Sequence, residues 1–257
     1  MNHRQSRAIE FLAEQYEYGE GSPHAHQVAT LAGSLFDQLS KQGLLPGLTL
    51  SDRHTLVSAA YAHDIGFSPR AFEDTGGVPS WAPSDNSTDQ HHAISFEILR
   101  AHLDNKMHSV SLPPFGHVDR STLLYTVLWG SSGSNRTVNS EPLIDAGTST
   151  LLGGMLRVAD ALDVRNRLMV QKVELRRSSA WIRLLIRAFD EAGAEVAAAQ
   201  ENAELLSSQL GLRVFVQEII EPVKGNTAVY EGPFLLQPEV EEYLAALLAP
   251  TTLPRPD

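Results

Sequence analysis

The sequence contains no cysteine. Disulfide bonds, thiolate metal ligands of the zinc-ribbon type and cysteine nucleophiles are therefore excluded. Basic residues are also scarce, because 20 lysines and arginines stand against 31 aspartates and glutamates, and the formal net charge is −11. This balance argues against broad, sequence-independent binding to nucleic acids, which depends on clustered positive charge. It leaves room for a small anion in a local positive pocket.

Long apolar runs and the common catalytic loops are missing as well. No stretch approaches the ~20 apolar residues of a membrane span, and the first ten residues hold no apolar signal core. We therefore expect a cytoplasmic protein with no membrane partner. The sequence also lacks the glycine-rich phosphate-binding loop, the serine nucleophile elbow and the dinucleotide-binding glycine motif.

Apolar residues at helical spacing dominate the first two thirds of the chain. An opening helix is predicted through Ile9, Phe11, Leu12 and Tyr16, and a second from His24 onward. Ser51 or Asp52 could cap a third helix. Further helices are predicted over about 92–103, 120–128 and 148–162. The polar segments 67–90 and 131–147 are predicted to be long loops.

The residue pattern changes after residue 163, where β-branched and aromatic residues predict strands over 170–189 and 212–220. A helix is predicted over 195–209 and a short one over 238–248. We therefore expect a mostly α fold: a helical domain over 1–168, a small α+β subdomain over 169–250, and a tail over 251–257. Exposed-looking Trp181, Leu185 and Phe215 are compatible with a homodimer, or with packing on the helical body.

Four residues of metal-ligand type fall on the inward faces of separate predicted helices: His24, His63, His92 and Asp160. Each lies three, four, seven or eight positions from an apolar residue of its own helix, as His24 lies four before Val28. A buried aspartate is costly unless it is ion-paired or binds a cation. Each residue alone is more often a hydrogen-bonded or ion-paired core group. Together with Asp64, which follows His63 directly, they favour a site for a divalent cation that positions water against a phosphate.

Arginines form a second group around and after Asp160. Arg157, Arg165 and Arg167 are candidates for binding a phosphate, for which a guanidinium is well suited. His91, beside His92, is a further candidate phosphate contact. Structural ion pairs remain an equal alternative for these arginines.

The ordered set His24, His63-Asp64 and Asp160 resembles the HD-domain superfamily of metal-dependent phosphohydrolases. Pro-His-Ala-His-Gln-Val-Ala at 23–29 and Arg-Val-Ala-Asp-Ala-Leu-Asp at 157–163 are similar to the HD-like C-terminal region of exopolyphosphatase/guanosine pentaphosphate phosphatases. The similarity extends over about residues 8–218. The resemblance implies an HD-domain helical bundle.

The resemblance also implies a chemistry. One divalent cation (Mn²⁺, Mg²⁺, Fe²⁺ or similar) would be held by His24, His63, Asp64 and Asp160, with Asp64 and His92 at the reacting centre. The substrate would be a nucleotide or another small phosphorylated anion.

Two departures from the family bear on this expectation. The family performs its phosphatase chemistry in an actin-like domain that has no counterpart here, so the HD site itself would have to act. Many HD proteins carry a further histidine where this chain reads Leu-Trp-Gly-Ser at 128–131, so a single cation is expected. The alternative is a non-catalytic module that binds a phosphorylated effector, nucleotide or polyphosphate, or a protein partner.

Overall fold

The computed structural model describes residues 1–16, 21–80, 82, 90–107, 111–130 and 146–219. The fold is mostly helical, as predicted, with a small sheet. The helices are α1 (His3–Gln15), α2 (Gly21–Lys41), α3 (Leu50–Ala62), α4 (Pro69–Thr75), α5 (Gln90–Leu103), α6 (His117–Trp129), α7 (Ala146–Ala161), α8 (Gly193–Asn202) and α9 (Glu204–Leu210), and the strands are β1 (Val170–Arg177), β2 (Trp181–Ala188) and β3 (Arg213–Glu218). A 3₁₀ turn, Ile65–Phe67, follows α3.

Local signals explain where several helices begin and end. Asn2 caps α1, since its side chain accepts the Gln5 N–H at 3.0 Å and the Gln5 side chain accepts the Asn2 N–H at 2.8 Å. The cap of α3 is Thr49 and not the predicted Ser51 or Asp52. Asp52 instead accepts the Thr49 N–H at 2.7 Å, as the third helical residue of a capping box does.

Three further predictions need correction. The segment 67–90 is not wholly a loop, because α4 begins with Pro69 at its first position and ends at Thr75, where it is capped by Gly76 with a φ of +70°. The single helix predicted over 195–209 is two helices separated at Ala203. Phe11 is exposed and does not belong to the buried face of α1. The helices predicted over 92–103, 120–128 and 148–162 are confirmed, and their starts lie within three residues of the predicted ones.

Helix α7 is central to the bundle and contacts α2, α3, α6, α8 and α9. Glycines make this possible, because a Cβ at Gly153 would overlap Trp129 of α6. A Cβ at Gly154 would come within 3.0 Å of the Leu206 backbone of α9. The close approach of its neighbours places the C-terminal end of α7, with Asp160, among the ends of α2 and α3.

The sheet has the order β1-β2-β3, with β1 antiparallel and β3 parallel to β2. Both outer strands are covered by a helix glutamine. Gln38 of α2 donates to the Val173 carbonyl and accepts the Leu175 N–H at 2.7 Å. Gln200 of α8 donates to the Val214 carbonyl at 3.3 Å and accepts the Val216 N–H at 2.8 Å. We call Gln38 and Gln200 the edge glutamines, because each satisfies backbone groups that an edge strand leaves open.

Residues 1–220 form one compact unit that includes the sheet. Leu185 is buried in it, which agrees with the packing alternative for this residue and not with an exposed side chain. No helix in the described part of the chain is long and apolar enough to cross a membrane. The predicted loop over 131–147 falls mostly outside the described residues, and the predicted helix over 238–248 and the tail lie wholly outside them.

Candidate metal centre

The four predicted ligands meet at one place, although they come from three helices. His24 lies near the start of α2, His63 and Asp64 directly follow α3, and Asp160 lies near the end of α7. The Asp160 Oδ1 atom is 3.1 Å from His24 Nε2 and 3.3 Å from His63 Nε2. The Asp64 carboxylate is 3.3 Å from His63 Nε2 and 3.6 Å from His24 Nε2. Two imidazoles therefore face two carboxylates.

The orientation of the His24 ring is fixed by a residue that the sequence did not identify as part of the site. Asp163, 1% exposed, accepts a hydrogen bond from His24 Nδ1 at 2.9 Å. Its second oxygen accepts the Leu168 N–H at 2.8 Å, where the backbone φ of +54° is in the left-handed region. Because a carboxylate only accepts hydrogen bonds, Nδ1 of His24 carries a proton, and Nε2 is the nitrogen that faces Asp160 and Asp64 and that a cation would bind in place of its proton.

The His63 ring is oriented in the same way by the backbone. Its Nδ1 lies 2.7 Å from the Ala60 carbonyl, which can only accept. The proton is therefore on Nδ1, and Nε2 faces Asp64 and Asp160. A hydrogen bond that fixes the distal nitrogen in this manner is characteristic of imidazoles that ligate metals.

A second group of donors overlaps the first and shares Asp64 with it. His91 Nε2 lies 3.2 Å from Asp64 Oδ1, and the ligand atoms of Asp64, His91 and His92 lie within 4.8 Å of one another. His92 is only 5% exposed, and its Nδ1 has no hydrogen-bond partner among the described residues. A buried nitrogen of this kind is costly to leave unpaired, so the position is suited to a ligand or a cation. This second group goes beyond the single-cation expectation.

The charges of the cluster shift the pKa values strongly. Burial alone would lower the pKa of His24, but hydrogen bonds with Asp160 and Asp163 and the nearby carboxylate charges raise it to about 10. The pKa of His63 is likewise raised against its burial, by the charge of Asp64 and the hydrogen bond to Asp160. Against their own burial, the pKa values of Asp160 and Asp64 are held below the usual range by these imidazoles and, for Asp64, also by the hydrogen bond from His91.

The pKa of His92 is shifted in the opposite direction to those of His24 and His63. Burial, reinforced by the charge of His91, lowers the pKa of His92 to about 3. Its imidazole is therefore neutral at physiological pH and retains a lone pair. The cluster thus combines anionic oxygens with a neutral nitrogen donor, and this set fits a divalent cation of borderline character.

Packing behind the site holds its backbone. The Ser95 hydroxyl of α5 donates to the His63 carbonyl at 2.7 Å and accepts the Gly66 N–H at 2.8 Å. A Cβ at Gly66 would overlap the His91 carbonyl, so glycine is needed where the 3₁₀ turn meets α5. The Phe67 ring stacks on His91 with a centroid distance of 3.6 Å.

The three arginines predicted to bind phosphate have different surroundings. Arg157 Nε donates to the Trp129 carbonyl at 2.6 Å. Arg165 forms a two-point ion pair with the buried Glu195, with Nε–Oε1 at 2.7 Å and Nη2–Oε2 at 2.5 Å. Arg167 is exposed. Their binding of phosphate stays a prediction, and a structural role is evident for Arg165.

Part of the site was visible in the sequence and part was not. His24, His63, Asp64 and Asp160 are brought together, and His91 and His92 lie beside them. Asp163 was missed because it lies two residues beyond the end of α7, where helical spacing no longer indicates which side chains are buried. Comparison with protein-family models and with curated protein sequences finds no match for this chain.

Proposed function

We propose that the protein is a metal-dependent phosphohydrolase of the HD type that acts on a nucleotide or another small phosphorylated anion. The observation that carries the proposal is the convergence of His24, His63, Asp64 and Asp160 at the ends of three helices. Both imidazoles are held through Nδ1 and present Nε2 to the carboxylates. This arrangement supports a site for Mn²⁺, Fe²⁺, Mg²⁺ or a similar ion.

The surrounding residues have distinct roles in this proposal. A bound divalent cation supplies Lewis-acid polarisation of a phosphoryl oxygen and activation of water. His24, His63, Asp64 and Asp160 hold it, and Asp163 fixes the tautomer of His24 from behind. His92 is 5% exposed, and its neutral Nδ1 has no hydrogen-bond partner among the described residues. This nitrogen would accept a hydrogen bond from a phosphate or from a water molecule, or would bind a second cation.

We assign substrate binding to side chains at the edge of the metal centre. His91 lies between the Phe67 ring and the Asp64 carboxylate, with Nε2 3.2 Å from Asp64 Oδ1, and its imidazole is a donor that we propose for a phosphate contact. Arg157 and Arg167 are the arginines that we propose for phosphate contacts; Arg157 Nε also donates to the Trp129 carbonyl, and Arg165 forms its two-point ion pair with Glu195. Net negative charge elsewhere on the protein confines anion binding to such local positive groups.

Elemental analysis of protein purified without chelator tests the proposal, together with a phosphate-release screen on nucleotides and inorganic polyphosphate. We expect Asp64→Ala to contain one or two equivalents of metal fewer than the wild type and the exposed control Asp190→Ala, because the substitution removes the carboxylate shared by both donor groups. We expect the wild type and Asp190→Ala to release phosphate and Asp64→Ala to release none. Undiminished turnover by Asp64→Ala would contradict the proposal.

The same screen separates an enzyme from a binding module. A protein that retains metal and binds a nucleotide or polyphosphate, yet releases no phosphate with any divalent cation, would be a non-catalytic module for a phosphorylated effector. Metal-dependent phosphate release that is lost in Asp64→Ala would exclude that alternative as the whole function.

A further inference from the structure

A separate group of possible metal ligands lies where α1 passes the beginning of α2. Glu10 and Glu14 are one turn apart on α1, and His26 is on α2. One ligand atom from each lies within 4.8 Å of the others. Glu10 is 9% exposed, whereas Glu14 and His26 are exposed. Two carboxylates four residues apart on a helix repel each other, and the guanidinium of Arg7 offsets the charge of only one of them, so the group keeps a net negative charge that a cation can neutralise.

The His26 ring is not a loose surface side chain. Its Nδ1 lies 3.1 Å from the Tyr61 hydroxyl of α3, and the two rings meet edge to face with a centroid distance of 5.1 Å. This contact restrains the imidazole beside the two carboxylates. A hydrogen bond that orients a histidine from outside the coordination sphere is a regular feature of metal sites, where it lowers the cost of ordering the ligand.

We propose that Glu10, Glu14 and His26 bind a divalent transition-metal ion such as Zn²⁺, at a site independent of the phosphohydrolase centre. Two carboxylate oxygens and one imidazole nitrogen are ordinary zinc ligands, and the exposed position leaves room for water at the remaining coordination positions. The ion links the second half of α1 to the first turns of α2, the helix that carries His24. Zinc bound there stabilises the pair of helices.

The guanidinium of Arg7 competes with a cation for the Glu10 carboxylate. Arg7 Nη1 lies 2.6 Å from Glu10 Oε2, and the Arg7 side chain is 66% exposed. Its guanidinium neutralises part of the charge of Glu10 and occupies one of the two carboxylate oxygens. A divalent ion must compete with it. Removal of Arg7 should therefore increase the zinc affinity, which is the reverse of the effect of removing a ligand.

Titration calorimetry of the full-length protein with Zn²⁺ tests this site in the Asp64→Ala background, in which the shared ligand of the phosphohydrolase centre is gone. We expect one equivalent of Zn²⁺ to bind. His26→Ala and Glu14→Gln should each weaken that binding about tenfold or more. Arg7→Gln should strengthen it several-fold, and His117→Ala, which removes an exposed histidine of α6, should leave it unchanged.

These measurements test the second site independently of the phosphohydrolase proposal. Absence of zinc binding in Asp64→Ala, equal affinity in His26→Ala and His117→Ala, or weaker binding in Arg7→Gln would each overturn the second site and leave the phosphohydrolase proposal intact. Should Asp64→Ala not fold, the same comparison is made in the wild-type background after saturation with Mn²⁺. There, Zn²⁺ should raise the melting temperature of the wild type and of His117→Ala more than that of His26→Ala.

Discussion

Replacement of Asp163 by asparagine separates the orientation of a ligand from the stability of the fold. Asparagine has nearly the shape of aspartate, and its amide oxygen can still accept the Leu168 N–H that Asp163 accepts at 2.8 Å. The amide nitrogen would then face His24 Nδ1, 2.9 Å from the present carboxylate oxygen. Two donors cannot form this hydrogen bond. The imidazole must then give up its proton on Nδ1 and keep one on Nε2, the nitrogen that faces Asp160, or the ring or the amide must rotate and lose one of the two hydrogen bonds.

The expected loss follows from that change. Partners that orient a metal-bound histidine contribute about 10- to 100-fold to metal affinity, which corresponds to roughly 1.4 to 2.7 kcal/mol of binding free energy. The upper part of the range is expected here, because Asp163 is 1% exposed and water cannot replace it. Competition with a chromophoric chelator measures the Mn²⁺ affinity of Asp163→Asn against that of the exposed control Asp190→Asn.

A thermal melt of the metal-free proteins distinguishes orientation from general damage. We expect Asp163→Asn to lose metal affinity while its melting temperature falls by only a few degrees. The reasoning is refuted if Asp163→Asn binds Mn²⁺ as tightly as Asp190→Asn. A large fall in melting temperature that accompanies the loss of affinity would instead assign Asp163 to the structure of the loop after α7.

Three further predictions concern the fold. Gly66→Ala should lower the free energy of unfolding by about 1–3 kcal/mol or more, measured in urea, whereas Gly193→Ala, whose Cβ would meet nothing closer than 4.0 Å, should be nearly neutral. Replacing either edge glutamine by alanine should cost about 0.5–1.5 kcal/mol for each hydrogen bond lost and increase light scattering, and unchanged values for both would contradict the edge-covering role. The hydrogen bond from Arg165 lowers the pKa of Glu195, so the stability advantage of the wild type over Glu195→Gln should be constant above about pH 5. This stability advantage should shrink as the pH falls below about 4.3, the pKa of a glutamate in the unfolded chain. Urea unfolding of both proteins at several pH values checks this.

Helical periodicity was sufficient to predict the central part of the site. The stripe that begins with Val28 and Leu31 is fully buried, so the helical phase that placed His24 inward was correct. The same reasoning holds for His63 and His92. Periodicity works here because each of these residues shares a face with apolar neighbours whose burial is imposed by the bundle.

Periodicity fails where the chain leaves a helix. Asp163 follows the end of α7, where no helical phase applies, and its burial arises from contact with His24, which is 139 positions away in the sequence. The helix α4 was overlooked because its seven residues are too few to show a period, although Pro69 and Gly76 mark both ends. The backbone of α9 packs closely against Gly154 of α7 just after the break from α8, and a single sequence does not reveal such a tertiary contact.

The shared carboxylate of Asp64 connects the chemistry of the site to its supporting structure. Asp64 directly precedes the 3₁₀ turn that packs on α5 through Gly66 and Ser95, and α5 also carries His91 and His92. The contacts that position Asp64 therefore also position the second donor group. A defect in this packing would separate the two donor groups while the rest of the helical bundle remained folded. A ligand substitution, by contrast, would remove binding and leave the packing intact. Metal affinity and unfolding free energy measured on the same variants thus distinguish a residue that binds from one that positions.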